Sequence, residues 1–517
     1  MYKIFHIFNV LKLGKHLNQN DIDELIKEDN ISSEQWSSLS VLLAMKVRNS
    51  YEETLFKYSK LISNNPEKWY KIINDAANYT DRYEEIIYRT INKESIGEEL
   101  INWTLDTFEN DTIDTNFFSF WLMLLNSVDI SEEDTLHITK KLLNSGIIQT
   151  YKEEQEFYVR RYPTGGLSEK VALILPSLLA ATHDDFNIKA HFLVAKTLSH
   201  TGGTVDKLSV FNGFSIPESN KSIINILDDF GVVMASTGKN TAPLDKKLYT
   251  FRSITGTVEA KSLIISSIAS KQMALPTDFL LLDIRYGSGA FIKSKHDGEV
   301  LGRQLSKILK ETGQTNEYVL TNMSQPNGSA IGNFLEVIES VDIMDPNFNI
   351  DIFNEQKKIE QLSLVLKFYK IMMSNYDNAF DWIEYGKGLF ESGKVITAFW
   401  RLLGMHGVSK EDSDKIQRDI LGYFDFESLL VYEITASKSG ILTDIKQKDL
   451  GYIINYEINY DSALKKAILD NGGIIIKRIV GTKVDKGNIL AKIYSRKKLS
   501  NKLITQIQLC FVIEKEI

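Results

Sequence analysis

The chain contains 517 residues, 43% of them hydrophobic and 25% charged, enough apolar material for two or three domains with their own cores. A formal net charge of −8 excludes a general nucleic-acid binder, whose affinity depends on clustered lysine and arginine. The single cysteine, Cys510, excludes an intrachain disulfide and a cysteine-based metal cluster, and no apolar run is long enough to span a bilayer, so a cytoplasmic protein with a small-molecule ligand is expected.

Residues 1–17 mix apolar positions with His6, Asn9, Lys12 and Lys15 and offer no small-residue cleavage site, so they read as helix rather than signal peptide. Helical spacing over 5–13 and 21–27 is followed by Ser32 and Ser33, whose hydroxyls can cap the free amides opening an apolar helix over 36–47. From 51 to about 105 the chain continues in short amphipathic pieces such as 66–73 and 83–88, rich in Tyr and Trp and almost free of glycine. Aromatic stripes at helical spacing point to packed core or partner surface rather than to a cofactor box. A further apolar helix is expected over 117–126, and the stretch 129–134 caps another that stops at Asn144-Ser145-Gly146.

After Gly146 the pattern changes. Short apolar runs at 171–175, 231–235, 279–283 and 318–321 alternate with helical stretches, which predicts a mostly parallel α/β sheet. Three glycine turns accompany these runs: Arg160-Arg161-Tyr162-Pro163-Thr164-Gly165-Gly166, the stretch 198–208 around Gly202-Gly203, and Asp283-Ile284-Arg285-Tyr286-Gly287-Ser288-Gly289. Gly202 and Gly203 can take positive φ and let backbone amides approach a ligand, with the hydroxyls of Thr201 and Thr204 beside them. Read alone, such a pair equally well ends a helix. In open α/β sheets ligands bind outside the carboxyl ends of the strands, so three such turns point to one cleft. From 429 to 517, alternation over 434–445, 474–480 and 489–493 around Gly440, Gly472, Gly473, Gly481 and Gly487 predicts a small α+β domain.

Taken together, these residues resemble the thymidine phosphorylase and pyrimidine-nucleoside phosphorylase family over most of the chain. His200-Thr201-Gly202-Gly203-Thr204-Val205-Asp206-Lys207-Leu208 is similar to the core of the family signature, Gly287-Ser288-Gly289-Ala290-Phe291 to its later strand-end turn, and Met323, Gln325-Pro326, Gly328, Gly332-Asn333 and Leu335-Glu336-Val337 to a further block. The resemblance implies an α/β fold with an additional all-α lobe, the two-lobe architecture of nucleoside phosphorylases and phosphoribosyltransferases, closing on a cleft and usually homodimeric. It places a helical lobe at 1–146, completed by about 244–274 and carrying an insertion over about 46–116. An α/β lobe covers 147–428 apart from 244–274, and an α+β cap domain 429–517. The inserted helices are expected to serve as an interface or lid.

Splitting a pyrimidine N-glycosidic bond leaves negative charge on the departing base, so cations must meet it. Arg252, Ser267 and Lys271 match the spacing of the family's base-binding residues, which implies that they hold the base and stabilise its anion. Ser267 and Lys271 lie four apart on one helical face. The phosphate half departs from the family pattern. Its lysine, histidine and serine become Arg161, Tyr162 and Pro163, a later serine falls on Ala172, and a serine-glycine-arginine-glycine run becomes Val194-Ala195-Lys196-Thr197, with Ser209 in place of a glutamate. Thr204 is the retained phosphate hydroxyl.

Each lost hydrogen bond to a charged group costs about 1.5–3 kcal/mol, so inorganic phosphate is expected to bind poorly unless Arg160, Arg161 and Lys196 rebuild the site. Two functions stay open: a pentosyltransferase acting on a pyrimidine nucleoside, with phosphate, water or another small molecule as acceptor, and a catalytically inactive nucleoside-binding or interaction protein that keeps the base site. Anthranilate phosphoribosyltransferase chemistry shares the fold and is the weaker candidate. No cofactor is expected beyond phosphate as a co-substrate, and no metal, since the eight histidines are scattered without ligand spacing. The expected partners are a nucleoside or base and a second copy of the chain, with neither nucleic acid nor membrane.

Overall fold

In the computed structural model, placement is described for all residues except 1, 29, 76–77, 197–201, 237–239, 462–465, 468–470 and 516–517. The chain divides into two compact units, Met1–Gln149 with Lys239–Leu275 and Lys307–Thr312, and Thr150–Gly238 with Pro276–Ser306 and Gly313–Ile517.

The first unit is helical. Ser32 accepts from the Gln35 amide while the Gln35 side chain accepts from the Ser32 amide, a reciprocal cap that starts helix Ser33–Ala44 where the sequence predicts it. Ser131 caps helix Glu132–Asn144 in the same region of the chain that carries the acidic start signal. The aromatic pieces between 46 and 116 are core. Trp69 and Tyr70 on helix Glu67–Asp75 are buried, and the Trp69 ring packs edge-on against Phe117 and Phe120 with centroids 5.6 and 5.3 Å apart. Trp121 donates to the Thr90 hydroxyl at 3.2 Å, so its one polar atom is satisfied inside the cluster.

The second unit contains a five-stranded sheet, every pairing parallel: β1 (Phe157–Pro163), β2 (Ile188–Leu193), β3 (Val232–Ala235), β4 (Phe279–Tyr286) and β5 (Asn316–Asn322), in the order β3-β2-β1-β4-β5. Three of the expected apolar runs fall in β3, β4 and β5. The fourth does not: 171–175 opens helix Val171–Phe186 instead of forming a strand. That helix is buried along most of its length, and a run apolar on every side has no periodicity to separate helix from strand. The strands that take its place in the pattern, β1 and β2, carry Arg160, Arg161, Lys189 and His191, polar residues that hide them from an apolar search.

The chain runs from β1 outward to β3 and then returns to the other side of β1 as β4, which makes the carboxyl ends of β1 and β4 the switch point of the sheet. Beyond residue 429, strands Gly472–Ile476, Ile489–Ser495 and Leu430–Thr435 join Ala330–Ile331 in one antiparallel sheet, and Lys483–Val484, Gly440–Ile445 and Phe511–Glu514 form another.

Two histidines of this unit are buried in the neutral form. His406 donates from Nδ1 to the Ser215 carbonyl and accepts at Nε2 from the Met234 amide, and burial pushes its pKa down to about 4. His191 meets the Tyr151 hydroxyl at 2.5 Å, and burial beside Arg160 pushes it down to about 3. In the unfolded chain both rings titrate near 6.5, so protonation favours unfolding below that value. Stability should hold above pH 6.5 and fall as pH drops toward 4, with His406 contributing up to about 3 kcal/mol of the loss. Denaturant melts at pH 7 and pH 5 check this: His406→Gln should be less stable at pH 7 and lose less between the two. In the helical unit, Trp69→Ala should cost about 3–5 kcal/mol by the same measurement.

Candidate active site

Two of the glycine turns, those after β1 and β4, meet at the switch point. Thr164 donates its amide to the Asp283 carbonyl at 3.0 Å, its hydroxyl accepts from the Arg285 amide at 2.8 Å, and the Leu167 amide donates to the Gly289 carbonyl at 3.1 Å. Gly165 has a φ of +93°, which favours glycine, and a Cβ on Gly166 would come within 2.8 Å of the Met323 terminal methyl, which would have to shift.

Beneath the turn lies a buried ionic network. Arg161 and Arg285 both bind Asp283, Arg285 through Nε at 2.8 Å, and both bind Glu169. Arg161 also lies over the Phe368 ring, 5.0 Å from its centroid. Glu169 accepts the Ala172 amide at the start of helix Val171–Phe186. Its carbonyl accepts from Lys207, whose ammonium also pairs with Glu336 at 2.9 Å. Lys170 is enclosed by the carbonyls of Asn327 and Ala330, at 2.6 and 3.0 Å, and by Glu339 at 3.0 Å. Burial pushes Arg161, Arg285 and Lys207 below their ordinary pKa values; the nearby carboxylates oppose this for Arg161 and Lys207, and the neighbouring Arg161 charge adds to it for Arg285.

Four cations, Arg161, Arg285, Lys170 and Lys207, thus face four carboxylates, Glu169, Asp283, Glu336 and Glu339. The charge of Arg161 is matched inside the protein. Arg160 points to the other side of β1, as strand alternation requires, and donates to the His191 carbonyl and the Thr277 hydroxyl. Tyr162 is half-buried.

Gly202 lies beside Asn333 and Lys207, where a Cβ would sit 3.5 and 3.6 Å from their side chains. Gly203 caps the short helix Thr204–Leu208, and the Thr204 hydroxyl makes no hydrogen bond among the described residues. Lys196 is exposed at the end of β2. Thr201, with Thr197 and His200, lies outside the described residues.

The base-side trio belongs to the helical unit. Ser267 and Lys271 sit on one face of helix Lys261–Met273, with the Lys271 ammonium donating to the Ser267 hydroxyl at 3.0 Å. Both meet Asp245 on helix Pro243–Thr255, at 3.0 Å from Ser267 and 2.5 Å from Lys271. Asp245 and Ser267 are buried while Lys271 is partly exposed, so the carboxylate takes the Ser267 proton and fixes the direction of the one donor that reaches toward the surface. Arg252 is buried and donates to the carbonyls of Thr257, Val258 and Leu263, and burial pushes its pKa down to about 10. Those three bonds leave two of a guanidinium's five N–H groups.

Asp245, Glu169, Asp283, Arg285 and Lys207 were not singled out from the sequence as site residues. The available signal was their position: each lies within a few residues of a glycine turn or on a helix carrying an expected base-binding residue. Arg285→Met should leave Asp283 and Glu169 under-compensated and cost about 3–5 kcal/mol, checked by denaturant melts against wild type.

Residues 161–379 match the family described as glycosyl transferase family, a/b domain. A pyrimidine-nucleoside phosphorylase of Staphylococcus epidermidis is 28% identical over 437 residues, covering 84% of this chain and 96% of that protein. One from Staphylococcus aureus is 27% identical over 422 residues, 81% of this chain and 93% of that protein. The solved structure of anthranilate phosphoribosyltransferase from Thermus thermophilus aligns with a TM-score of 0.47 at 9% identity, over 62% of this chain and 99% of that one.

Proposed function

We propose that this chain, which is similar to pyrimidine-nucleoside phosphorylases over most of its length, is a pentosyltransferase that cleaves the N-glycosidic bond of a pyrimidine nucleoside with a weakened preference for phosphate as acceptor. The observation that carries the first half is the Lys271 ammonium, held in place by the Ser267 hydroxyl and the buried Asp245 and partly exposed beyond them. When the bond between the base nitrogen and C1′ of the sugar breaks, its electron pair stays on the base. The ammonium of Lys271, with one N–H left after Ser267 and Asp245, stabilises that anion at the base edge, and Arg252 adds a positive charge to the same helix pair. The acceptor oxygen bonds to C1′, and its proton goes, directly or through solvent, to the departing base anion, which leaves as the neutral base.

The second half rests on the charge matching under the glycine turns. A phosphate dianion needs donors of surplus positive charge, whereas Arg161 is committed to Asp283 and Glu169 and Arg160 to the far side of β1. Pro163, Ala172 and Val194 carry no side-chain donors. Thr204 and backbone amides remain, and misplacing an acceptor by about 1 Å can cost on the order of a hundredfold in rate. The same matching favours the second reading, a protein that binds nucleosides without cleaving them.

Lys271→Ala should weaken binding of a pyrimidine base or nucleoside by roughly tenfold or more, and Asp245→Asn should weaken it less, since it disorders the donors without removing them. Isothermal titration with uridine and thymidine measures both; equal affinity in all three proteins would overturn the base site. Base release from thymidine, uridine and deoxyuridine, followed by chromatography with and without phosphate, tests the acceptor. Release that is slow or independent of phosphate is expected. Rapid phosphate-dependent release would refute the altered acceptor, and binding without release would establish the binding-protein reading.

A further inference from the structure

The helical unit holds a cavity of about 500 Å³ that the nucleoside chemistry does not use. Its apolar wall comes from Phe108, Ile113, Phe251 and Ile254, and its polar groups from Asp111, Thr115, Lys246, Lys247 and Thr250. A volume of this size, apolar over most of its wall with a few polar groups, is that of a small-molecule site.

The cavity is built rather than incidental. One side is the corner between helix Glu98–Glu109 and helix Thr115–Ser127, the other the outer face of helix Pro243–Thr255. Lys247 fastens the two together, donating to the carbonyls of Phe108 and Glu109, both at 2.9 Å, and to Asp111 at 2.6 Å. Asp111 has a φ of +57°, a conformation that costs a non-glycine residue about 1 kcal/mol or more and that the Lys247 contacts hold in place. The Phe108 ring is fixed edge-on to Phe251, with centroids 5.5 Å apart. The charges are unequal. Asp111 and Lys247 satisfy each other, whereas Lys246 is exposed and its ammonium has no partner among the described residues. Thr115 spends its hydroxyl proton on Glu34 at 2.9 Å, so Lys246 is the cation that the lining leaves without a partner among the described residues. The same helix turns Asp245 and Arg252 into the unit, so the cavity lies on the reverse of the helix that orders Ser267 and Lys271.

We infer that this cavity binds a small amphipathic anion, its aromatic or aliphatic body against Phe108, Phe251, Ile113 and Ile254 and its carboxylate, sulfonate or phosphate on Lys246. This site is independent of how the nucleoside is handled. Ile254 is 44% exposed, so an apolar body has contact area to gain there, and an anion meets a cation that does not have to give up another partner.

The test uses the intact protein without nucleoside and two fluorescent probes of similar shape, anilinonaphthalene sulfonate and the uncharged phenylnaphthylamine. The expected result is saturable, blue-shifted emission with one sulfonate per chain. Lys246→Glu should weaken the sulfonate roughly tenfold while leaving the neutral probe within about twofold, and Ile254→Asp should abolish both. Both substitutions are at exposed positions, and unchanged circular dichroism and melting confirm that the variants fold. Absence of saturable emission, or equal binding by wild type and both variants, would overturn the inference. So would sedimentation showing a dimer that Ile254→Asp splits into dye-binding monomers, since a second copy would then cover the cavity.

Discussion

Burying charge is the constraint that shapes the α/β unit. Moving one ion out of water costs several kcal/mol, and the cost is recovered only when its partner and its remaining hydrogen bonds come with it. At the head of helix Val171–Phe186, Arg161, Arg285, Lys170 and Lys207 are all buried, and each finds a carboxylate or a carbonyl cage. The partners come from β1, β4, helix Val171–Phe186, the short helix Thr204–Leu208 and helix Asn333–Met344. No one of these elements can shift without stranding a charge contributed by another. Removing one member of such a network costs more than the pair is worth, because the remaining charge has no water to retreat to.

That requirement also decides what the turns above the network can do. A guanidinium that neutralises Asp283 and Glu169 is a poor recruit for a dianion, although it keeps the turn in place. The glycine turns stay close to the strands because Gly165 and Gly166 allow it, and Gln447 reinforces the later turn by donating to the Met323 carbonyl at 2.7 Å and the Ser288 hydroxyl at 3.1 Å. The scaffold of an anion-binding turn and the charge that would attract the anion are therefore separable properties, and here the first is present while the second is spent internally.

The helical unit applies the same principle on a smaller scale. Asp245 is one buried carboxylate serving two donors, and its position three residues before Leu248 and seven before Arg252, both buried, puts it on the inner side of its helix, facing Ser267 and Lys271. Arg252 is held by the Thr257 and Val258 carbonyls of the loop that joins the two helices and by the Leu263 carbonyl of the second helix, so the guanidinium shapes the connection between them. The aromatic helices between 46 and 116 share one apolar cluster with Phe117 and Trp121 and supply, at Phe108 and Ile113, half of a cavity wall.

Much of this was legible in the sequence. The caps at Ser32 and Ser131, the aromatic stripes at 66–73 and 83–88, the strands at β3, β4 and β5, and the four-residue spacing of Ser267 and Lys271 are local patterns, and local patterns survive translation into structure because backbone geometry fixes them. The strand expected at 171–175 failed because an apolar run buried on all sides carries no period, and β1 and β2 were missed because Arg160, Arg161 and His191 break the apolar signature of a central strand. Which charges meet was not legible at all. Arg161 and Asp283 are 122 residues apart, Ser267 and Asp245 22, and only the folded chain brings them within hydrogen-bonding distance. The sequence determined which residue types were available, including an arginine where a phosphate-binding lysine was expected. The tertiary structure alone decided that this arginine turns inward, because Asp283 is buried on β4 and takes both Arg285 from its own strand and Arg161 from the neighbouring one.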